Sequence, residues 1–244
     1  IHRYCSPADR VKLTYFFFFF SFKMDKIPVI TIDGPSASGK GTVAQRVAKQ
    51  LTFHYLDSGA LYRLVALQAM RSKTDITDEH ALADIAENLV VCFNDSTIIL
   101  NQEDVTDLIR SEECGKYASR IAAFPLVRTM LLNKQRAFRQ QPGLVTDGRD
   151  MGSVVFPNAS LKIFLTASAE ERAQRRYKQL IEKGINANIN ILQQDIYERD
   201  ARDSKREIAP LQQFADTKLL DTTFLSIDQA VNEVVKWYQA IRNT

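Results

Sequence analysis

Cysteine is scarce in this sequence of 244 residues, which contains only Cys5, Cys92 and Cys114. Their odd number and wide spacing give neither a disulfide framework nor a zinc-binding pattern. Free thiols suit a reducing compartment, whereas secreted domains of small size rely on disulfides. The cysteine content therefore predicts a cytoplasmic protein.

An excess of one charge is also lacking. The formal net charge is +3, and the first 23 residues carry that surplus, so that basic and acidic side chains balance over the rest of the chain. A balanced chain is not typical of proteins that bind nucleic-acid polymers. The apolar stretches are too short for a membrane span. We therefore expect neither a nucleic acid nor a membrane as a partner.

Residues 1–23 differ in composition from the rest of the chain. They contain an unbroken aromatic run from Phe16 to Phe20, and Met24 stands just before the first strand-like segment. The run is shorter than the apolar region of a signal peptide, and no small-residue cleavage site comes after it. We interpret residues 1–23 as a non-native extension, translated from upstream sequence, with Met24 as the initiator. A genuine amphipathic anchor or a disordered tail is the alternative.

The remaining length, residues 24–244, suits one α/β domain with a small appended lobe. Apolar β-branched runs alternate with helical patterns, which predicts a parallel sheet covered by helices on both faces. Two short apolar runs at 89–93 and 97–100 are separated by polar residues and predict a hairpin inserted among the helices.

A glycine-rich turn connects the first apolar run to a helical pattern. The spacing of Gly34, Gly39 and Lys40 fits the phosphate-binding pattern G-x-x-x-x-G-K in the strand–loop–helix context that this pattern needs. Backbone amides and the helix N-terminus favour phosphate oxygens there, and the lysine adds a point charge. The residues expected to bind the phosphates are Gly34, Pro35, Ser36, Ala37, Ser38, Gly39, Lys40, Gly41 and Thr42.

The form G-K-G-T at the end of this loop resembles the loop of nucleoside monophosphate kinases. The segment D-S-G-A-L-Y-R at 57–63 resembles the acceptor-site motif of bacterial cytidylate kinases. This resemblance implies that Ser58 and Tyr62 line the acceptor nucleotide and that Arg63 holds its phosphate. Without the resemblance, Arg63 could equally be a solvated charge on a helix.

Two further segments resemble the same family. S-R-I-A-A-F-P-L-V-R at 119–128 implies that Ser119 and Arg128 approach the cytosine ring, whose N3 and O2 atoms accept hydrogen bonds. D-G-R-D-M-G at 147–152 implies that Arg149 reaches phosphate and that Asp150 accepts the cytosine N4 amine.

Metal binding is expected beside the loop. Thr42 and Asp147 are the candidate ligands for Mg²⁺, partly through water. Asp33, which precedes the loop, is a rival for the role of Asp147. The alternative for Asp147 is a cap or turn residue without a metal.

Arginines dominate the segment 170–206, which resembles the lid of these kinases. The resemblance implies that Arg199 and Arg206 bind the acceptor phosphate and that Asp203 binds the ribose hydroxyls. Three arginines at i, i+3 and i+4 share a helix face, and the resemblance implies that they face ATP or the phosphate in transit; they are Arg172, Arg175 and Arg176. The alternative is a solvated surface of i, i+4 ion pairs.

The resemblance extends from about Ile27 to Trp237, nearly all of the chain after Met24. It implies the three-layer fold of P-loop kinases, with a nucleotide-binding insert at about 58–142 and the lid at about 170–206. It implies a monomer that uses ATP and Mg²⁺ to phosphorylate CMP and dCMP. The residues expected to act in catalysis are Lys40, Arg149, Arg172, Arg175, Arg176 and Arg199.

Three other functions are compatible with a phosphate-binding loop. A kinase for UMP or shikimate would have little use for a carboxylate that accepts the N4 amine. A GTPase-like switch would need a guanine-reading N-K-x-D segment, which the sequence lacks. A non-catalytic nucleotide-binding module would not need Lys40 together with so many arginines.

Overall fold

The computed structural model describes residues 27–94, 97–182 and 184–243, so the interpretation of residues 1–23 lies outside the described part. Its strands are β1 (Val29–Asp33), β2 (His54–Asp57), β3 (Val91–Asn94), β4 (Thr97–Leu100), β5 (Glu103–Asp104), β6 (Leu144–Gly148), β7 (Leu161–Thr166) and β8 (Lys218–Asp221). Its α-helices are α1 (Lys40–Leu51), α2 (Ser58–Ser72), α3 (Glu79–Glu87), α4 (Glu112–Ile121), α5 (Pro125–Arg136), α6 (Ala169–Glu182), α7 (Ile189–Lys205) and α8 (Ile227–Arg242).

Five parallel strands form the central sheet in the order β2-β6-β1-β7-β8. The middle strand β1 is buried along its whole length, as its apolar sequence predicts. The register pairs Asp57 of β2 with Asp147 of β6, and Asp33 of β1 with Gly148. Acidic residues of three strands therefore meet at the carboxyl edge, where open α/β sheets bind ligands.

Helices cover both faces of this sheet. Ile30 and Ile32 of β1 pack with α1 and α8 on one face, whereas Val29 packs with α2, α3, α4 and α5 on the other. This alternation is the period-two pattern of a strand that is buried on both sides. The prediction of a three-layer α/β fold with a parallel sheet is confirmed.

Residues between α2 and β6 form the predicted helices and hairpin with two differences. A third strand, β5, joins β3 and β4 in a small antiparallel sheet, and its two exposed residues gave no apolar signal in the sequence. The sequence after the hairpin predicts a helix from about Asp107, but a short 3₁₀ turn, Leu108–Arg110, occupies that point. The α-helix α4 begins at Glu112 because the Ser111 side chain caps it.

The loop leaves β1 at a point where no side chain fits. A Cβ atom on Gly34 would lie 2.0 Å from the carbonyl oxygen of Leu165 in β7. This backbone oxygen belongs to a strand of the central sheet and has little freedom to move. Glycine is therefore required at this position by close approach of two main-chain segments.

We expect Gly34→Ala to lower the free energy of unfolding by about 1–3 kcal/mol, because the added methyl group must displace backbone rather than a flexible side chain. Chemical denaturation measures this loss. Ser36→Ala, a change in the same loop that adds no bulk, serves as the matched control. Equal stabilities of the two variants would contradict the steric argument.

Candidate active site

The loop between β1 and α1 presents backbone amides to a cleft. Gly39, the residue before α1, adopts a left-handed conformation with φ 89°, and no side chain among the described residues caps the helix. The first turn of α1 also contains no acidic residue. The amides and the partial positive charge of this helix end are consequently left for an external anion.

Lys40 folds back over the loop, where its Nζ donates a hydrogen bond to the carbonyl oxygen of Pro35 at 3.2 Å. Burial and the nearby positive charge of Arg149 lower the pKa of this lysine. Two cations that are held close together in a poorly solvated place favour the entry of a polyvalent anion.

A cleft of about 360 Å³ lies between the loop, α4 and the two helices α6 and α7. Its lining brings together the loop residues Ser36–Thr42 and a set of basic side chains: Arg63, Lys116, Arg149, Arg176, Arg199 and Arg202. Burial, together with the charge of Arg149, lowers the pKa of Arg199 to about 10. The Arg199 Nε atom is buried and has no hydrogen-bond partner in the described part of the chain. These basic side chains favour the binding of a negatively charged group in the cleft.

An acidic pair lies beside the loop at the ends of β2 and β6. Asp147 accepts a hydrogen bond of 2.8 Å from the Tyr55 hydroxyl, and burial, with the neighbouring charge of Asp57, raises its pKa. A divalent cation would relieve this crowding of carboxylates. Thr42 lines the same cleft.

The donor set fits Mg²⁺, which is held in kinases by one or two protein groups together with phosphates and water. No group of three or more His, Cys, Asp or Glu side chains gathers in a metal-binding arrangement within the described residues. Asp33 is occupied elsewhere, since its two carboxylate oxygens accept hydrogen bonds from the backbone of Met151 and Gly152. Burial raises the pKa of Asp33 to about 6.

A second cluster lies beyond the cleft, between α2, α4, α5 and the turn after β6. Arg128 of α5 forms a largely buried ion pair with Asp150 and also contacts the Tyr62 hydroxyl at 3.5 Å. The Ser119 Oγ atom is buried and has no hydrogen-bond partner among the described residues. The structure therefore brings Arg128 and Asp150, two of the three residues expected near a nucleotide base, into direct contact, with Tyr62 beside them.

Arg149 connects the cleft to α7. Its Nε donates to Asp203 of α7 at 2.6 Å, and both side chains are largely buried. Arg206 lies at the end of α7, where its Nε donates to the carbonyl oxygen of Ala209 and its Nη2 has no partner in the ranges that the structure describes. One guanidinium nitrogen of Arg206 thus remains available.

The three arginines of α6 contact different parts of the protein. Arg172 donates to the carbonyl oxygen of Ser36 at 3.1 Å, and Arg175 donates to that of Ser38 at 3.0 Å. These two side chains hold the loop backbone and do not line the cleft. Arg176 does line the cleft and forms an ion pair with Glu112 of α4. Only Arg176 of the three lines the cleft, and the expectation that they face ATP or the phosphate in transit stays a prediction.

Two residues of the D-S-G-A-L-Y-R segment make backbone contacts. Ser58 is buried, and its Oγ donates to the carbonyl oxygen of Asp147 at 2.7 Å, which joins α2 to β6. Arg63 donates to the carbonyl oxygen of Ile109 at 2.7 Å while its side chain also lines the cleft. Arg63 is therefore not a fully solvated charge.

Ion pairs across the cleft were not predicted from the sequence. Glu112 of α4 pairs with Arg176 of α6, and Lys116 of α4 pairs with Asp195 of α7 at 3.2 Å. The partners are far apart along the chain, so no local spacing signals them. They connect α4 to α6 and α7 beside the cleft.

We expect Asp203→Asn to lower the free energy of unfolding at neutral pH by about 3 kcal/mol or more, because it leaves Arg149 buried without its counter-charge. Burial alone would raise the pKa of Asp203, but Arg149 and Arg199 hold it below its ordinary value of 3.8. The stabilisation is thus present above that value and is lost as the pH falls through the lower, folded-state pKa.

Denaturation of the Asp203→Asn variant and the unchanged chain across pH 2–7 measures this effect. The difference in stability should begin to narrow near pH 3.8 and close only below the folded-state pKa. The control is Asp228→Asn, which removes an exposed ion pair with Arg46 and should cost about 0–1 kcal/mol. A gap that persists unchanged in acid would refute the electrostatic origin.

Comparison with known proteins gives one consistent result. The family model described as cytidylate kinase matches residues 30–240. Cytidylate kinase of Nitrosomonas europaea is 62% identical over 221 residues, which cover 90% of this chain and 99% of that protein. Cytidylate kinase of Chromobacterium violaceum is 61% identical over 213 residues, which cover 87% of this chain and 96% of that protein.

A solved structure, a gluconokinase from Sinorhizobium meliloti, is similar at 14% identity and a TM-score of 0.43, with 88% of this chain and 94% of that chain covered. That likeness is too low to carry an argument about function. An argument about function rests instead on the family model, which matches most of the chain, and on the identity of about 60% to relatives of similar length. This chain belongs to the cytidylate kinase family.

Proposed function

We propose that this protein transfers the γ-phosphoryl group of ATP to CMP and dCMP, giving ADP with CDP or dCDP, in pyrimidine nucleotide metabolism. Membership of the cytidylate kinase family supports the reaction. The single observation that carries the site assignment is the convergence of Lys40, Arg149 and Arg199 beside a phosphate-binding loop.

Phosphoryl transfer needs in-line positioning and positive charge more than covalent chemistry. In our proposal the loop Gly34–Thr42 holds the phosphates of ATP, and Lys40 neutralises the group that moves. Arg149 and Arg199 line the cleft beside this loop, and Arg149 is next in sequence to Asp150, which suits them to stabilise charge on the transferred group. Thr42 and Asp147 would hold Mg²⁺, which supplies charge neutralisation and orientation of the phosphates.

The lid arginines take different parts in this proposal. Arg172 and Arg175 keep the loop in shape through the carbonyl oxygens of Ser36 and Ser38. Arg176 reaches a phosphate only after it leaves Glu112. Closure of the lid over the cleft excludes water, so that the phosphoryl group passes to the nucleotide and not to hydrolysis.

The second cluster is assigned to the acceptor nucleotide. Arg128 and Ser119 donate to N3 and O2 of cytosine, and Asp150 accepts the N4 amine. Arg63 and Arg206 bind the acceptor phosphate, Asp203 binds the ribose hydroxyls, and Ser58 and Tyr62 complete the walls. Asp150 is almost completely buried, with 4% of its surface exposed. This burial supports a role in recognising the base over that of an ordinary solvent-exposed surface charge.

UMP is the alternative acceptor that differs least from CMP. Uracil carries an acceptor oxygen where cytosine carries the N4 amine, so the carboxylate of Asp150 repels that oxygen.

The described residues contain no helix long and apolar enough to cross a membrane. We propose a monomer that acts in the cytoplasm on small-molecule substrates.

Lys40→Ala should lower kcat by about 100- to 1,000-fold, because it removes a preorganised charge from the transferred group. A coupled assay of ADP release with CMP as the acceptor measures this loss. Lys49→Ala removes an exposed lysine from the same helix and is the matched control. Turnover that survives Lys40→Ala would mean that the loop binds no reacting phosphate.

Asp150→Asn should lower the preference for CMP over UMP, expressed as the ratio of kcat/KM values, by about 10- to 100-fold, since an amide can donate to the uracil oxygen. Asp84→Asn, on an exposed position of α3, is the control. Thermal unfolding of each variant checks that the buried Arg128 pair has not simply been lost with the fold. A CMP-to-UMP ratio equal to that of the control would show that the base is read elsewhere.

A further inference from the structure

Ala37, in the middle of the phosphate-binding loop, has a backbone conformation that a side chain disfavours. Its φ angle is 58°, in the left-handed region where residues other than glycine are uncommon. Such a conformation persists only where the surrounding structure holds it, and it is concentrated at sites that bind ligands. The loop therefore needs a contact that keeps this part of its main chain in place.

Arg172 of α6 makes that contact. Its Nη1 donates to the carbonyl oxygen of Ser36 at 3.1 Å, and its Nε donates to that of Ala167, just after β7, at 3.0 Å. The carbonyl group of Ser36 and the amide of Ala37 belong to one planar peptide unit, so a bond that fixes the first also fixes the direction of the second. Arg172 therefore controls how the loop presents the amide of Ala37.

The counter-charge of Arg172 comes from a different helix. Asp200 of α7 pairs with the Arg172 Nη1 atom at 2.6 Å, and only 7% of the arginine and 22% of the aspartate side chain are exposed. The Oδ1 atom of Asp200 is buried and has no hydrogen-bond partner among the described residues. Buried ion pairs are weak sources of stability, and an unpaired oxygen adds to the cost of this one. Stability alone therefore does not account for Asp200.

Arg175, the other arginine that holds the loop, has a local counter-charge. It donates to the carbonyl oxygen of Ser38 at 3.0 Å and to the carboxylate of Glu171, four residues earlier on the same helix, at 2.9 Å. A shift of α7 leaves the pair of Arg175 and Glu171 intact. It does not leave the pair of Arg172 intact, because that carboxylate moves with α7.

The helix α7 also carries side chains that the proposed function assigns to the acceptor. Asp200 directly follows Arg199, which lines the cleft, and lies one helical turn before Asp203, which pairs with Arg149. An acceptor nucleotide bound to Arg199 and Asp203 restricts the place of α7. The same helix thus faces the acceptor on one side and, through Asp200, the phosphate-binding loop on the other.

We propose that Asp200 is a positioning residue that links the two substrate sites: it holds Arg172, and through it the phosphate-binding loop, once the acceptor nucleotide has fixed α7. ATP and the acceptor then each strengthen the binding of the other. This inference rests on the proposed function, in which the loop binds ATP and α7 binds CMP. Asp200 itself does not line the cleft, so it acts through Arg172 and not on a substrate.

The test uses the full chain and an ATP analogue with a nitrogen bridge between its β- and γ-phosphates, which prevents transfer. Titration calorimetry measures the Kd of the analogue with and without saturating CMP, and the ratio of the two values is the coupling factor. We expect a factor of about 5 or more in the unchanged chain, and linkage requires the analogue to strengthen CMP binding equally. Asp200→Asn, which conserves volume, should reduce the factor to about 1–2 and change the Kd of the analogue alone little.

Two variants serve as controls for the loss of a carboxylate. Glu198→Gln removes an exposed carboxylate from the same helix and should preserve the coupling factor. Glu171→Gln removes the counter-charge of Arg175 in place of that of Arg172 and should also preserve it. A loss of coupling in either control equal to that in Asp200→Asn would overturn the proposal, because charge alone would then explain the effect.

Arg172→Lys checks that Asp200 acts through the arginine. Lysine keeps the charge but lacks the planar fork that contacts several groups at once. It should reduce the coupling factor as Asp200→Asn does, and the double variant should reduce it no further, because both changes break the same connection. A further loss in the double variant would overturn the proposal. Arg172→Lys also replaces Asp200→Asn if the latter fails to fold.

Thermal unfolding separates this role from a merely structural one. A structural Asp200 would lower the thermal midpoint on substitution and leave the coupling factor unaltered, and that result would overturn the proposal. The proposed function would stand in that case, since both ligands still bind. If the unchanged chain binds the analogue but not CMP, the proposed function and the role of Asp200 are both wrong.

Discussion

Confinement of positive charge at the carboxyl edge of the parallel sheet is the constraint on which the site depends. Lys40, Arg149 and Arg199 share a poorly solvated cleft, where burial and the charge of Arg149 lower the pKa of Lys40 and of Arg199. The fold offsets this cost with carboxylates that arrive from other elements, Asp147 on β6 and Asp203 on α7. Such an arrangement is costly for an empty protein and favourable for one that holds phosphates, which is why it indicates function more strongly than the loop alone.

Features set by local chemistry could be predicted from the sequence. The glycine-rich loop between β1 and α1 and the hairpin of β3 and β4 each arise from a few neighbouring residues, and the structure has both. The alternation of strands and helices also sufficed for the parallel sheet. The family motifs assigned Arg128, Asp150 and Tyr62 to one nucleotide site, and these three side chains do lie together.

Features that depend on distant partners could not be predicted. The spacing of Arg172, Arg175 and Arg176 gives one helix face, but it says nothing about the carbonyl oxygens and the Glu112 carboxylate that face those side chains. Likewise, Asp33 precedes the loop and looks available for a metal in the sequence. Only the turn after β6, whose backbone amides bond to it, shows that its oxygens are occupied.

The contacts of Arg172 and Arg175 with the loop have a mechanical consequence. They lie in the first two turns of α6 and fasten that end of the helix to the main chain that surrounds Ser36 and Ser38. The far end of α6 leads to an exposed turn at Ile185. Because α6 is fastened to the loop at this end and packs against α7 along its length, a shift of the main chain around Ser36 and Ser38 would displace both helices together.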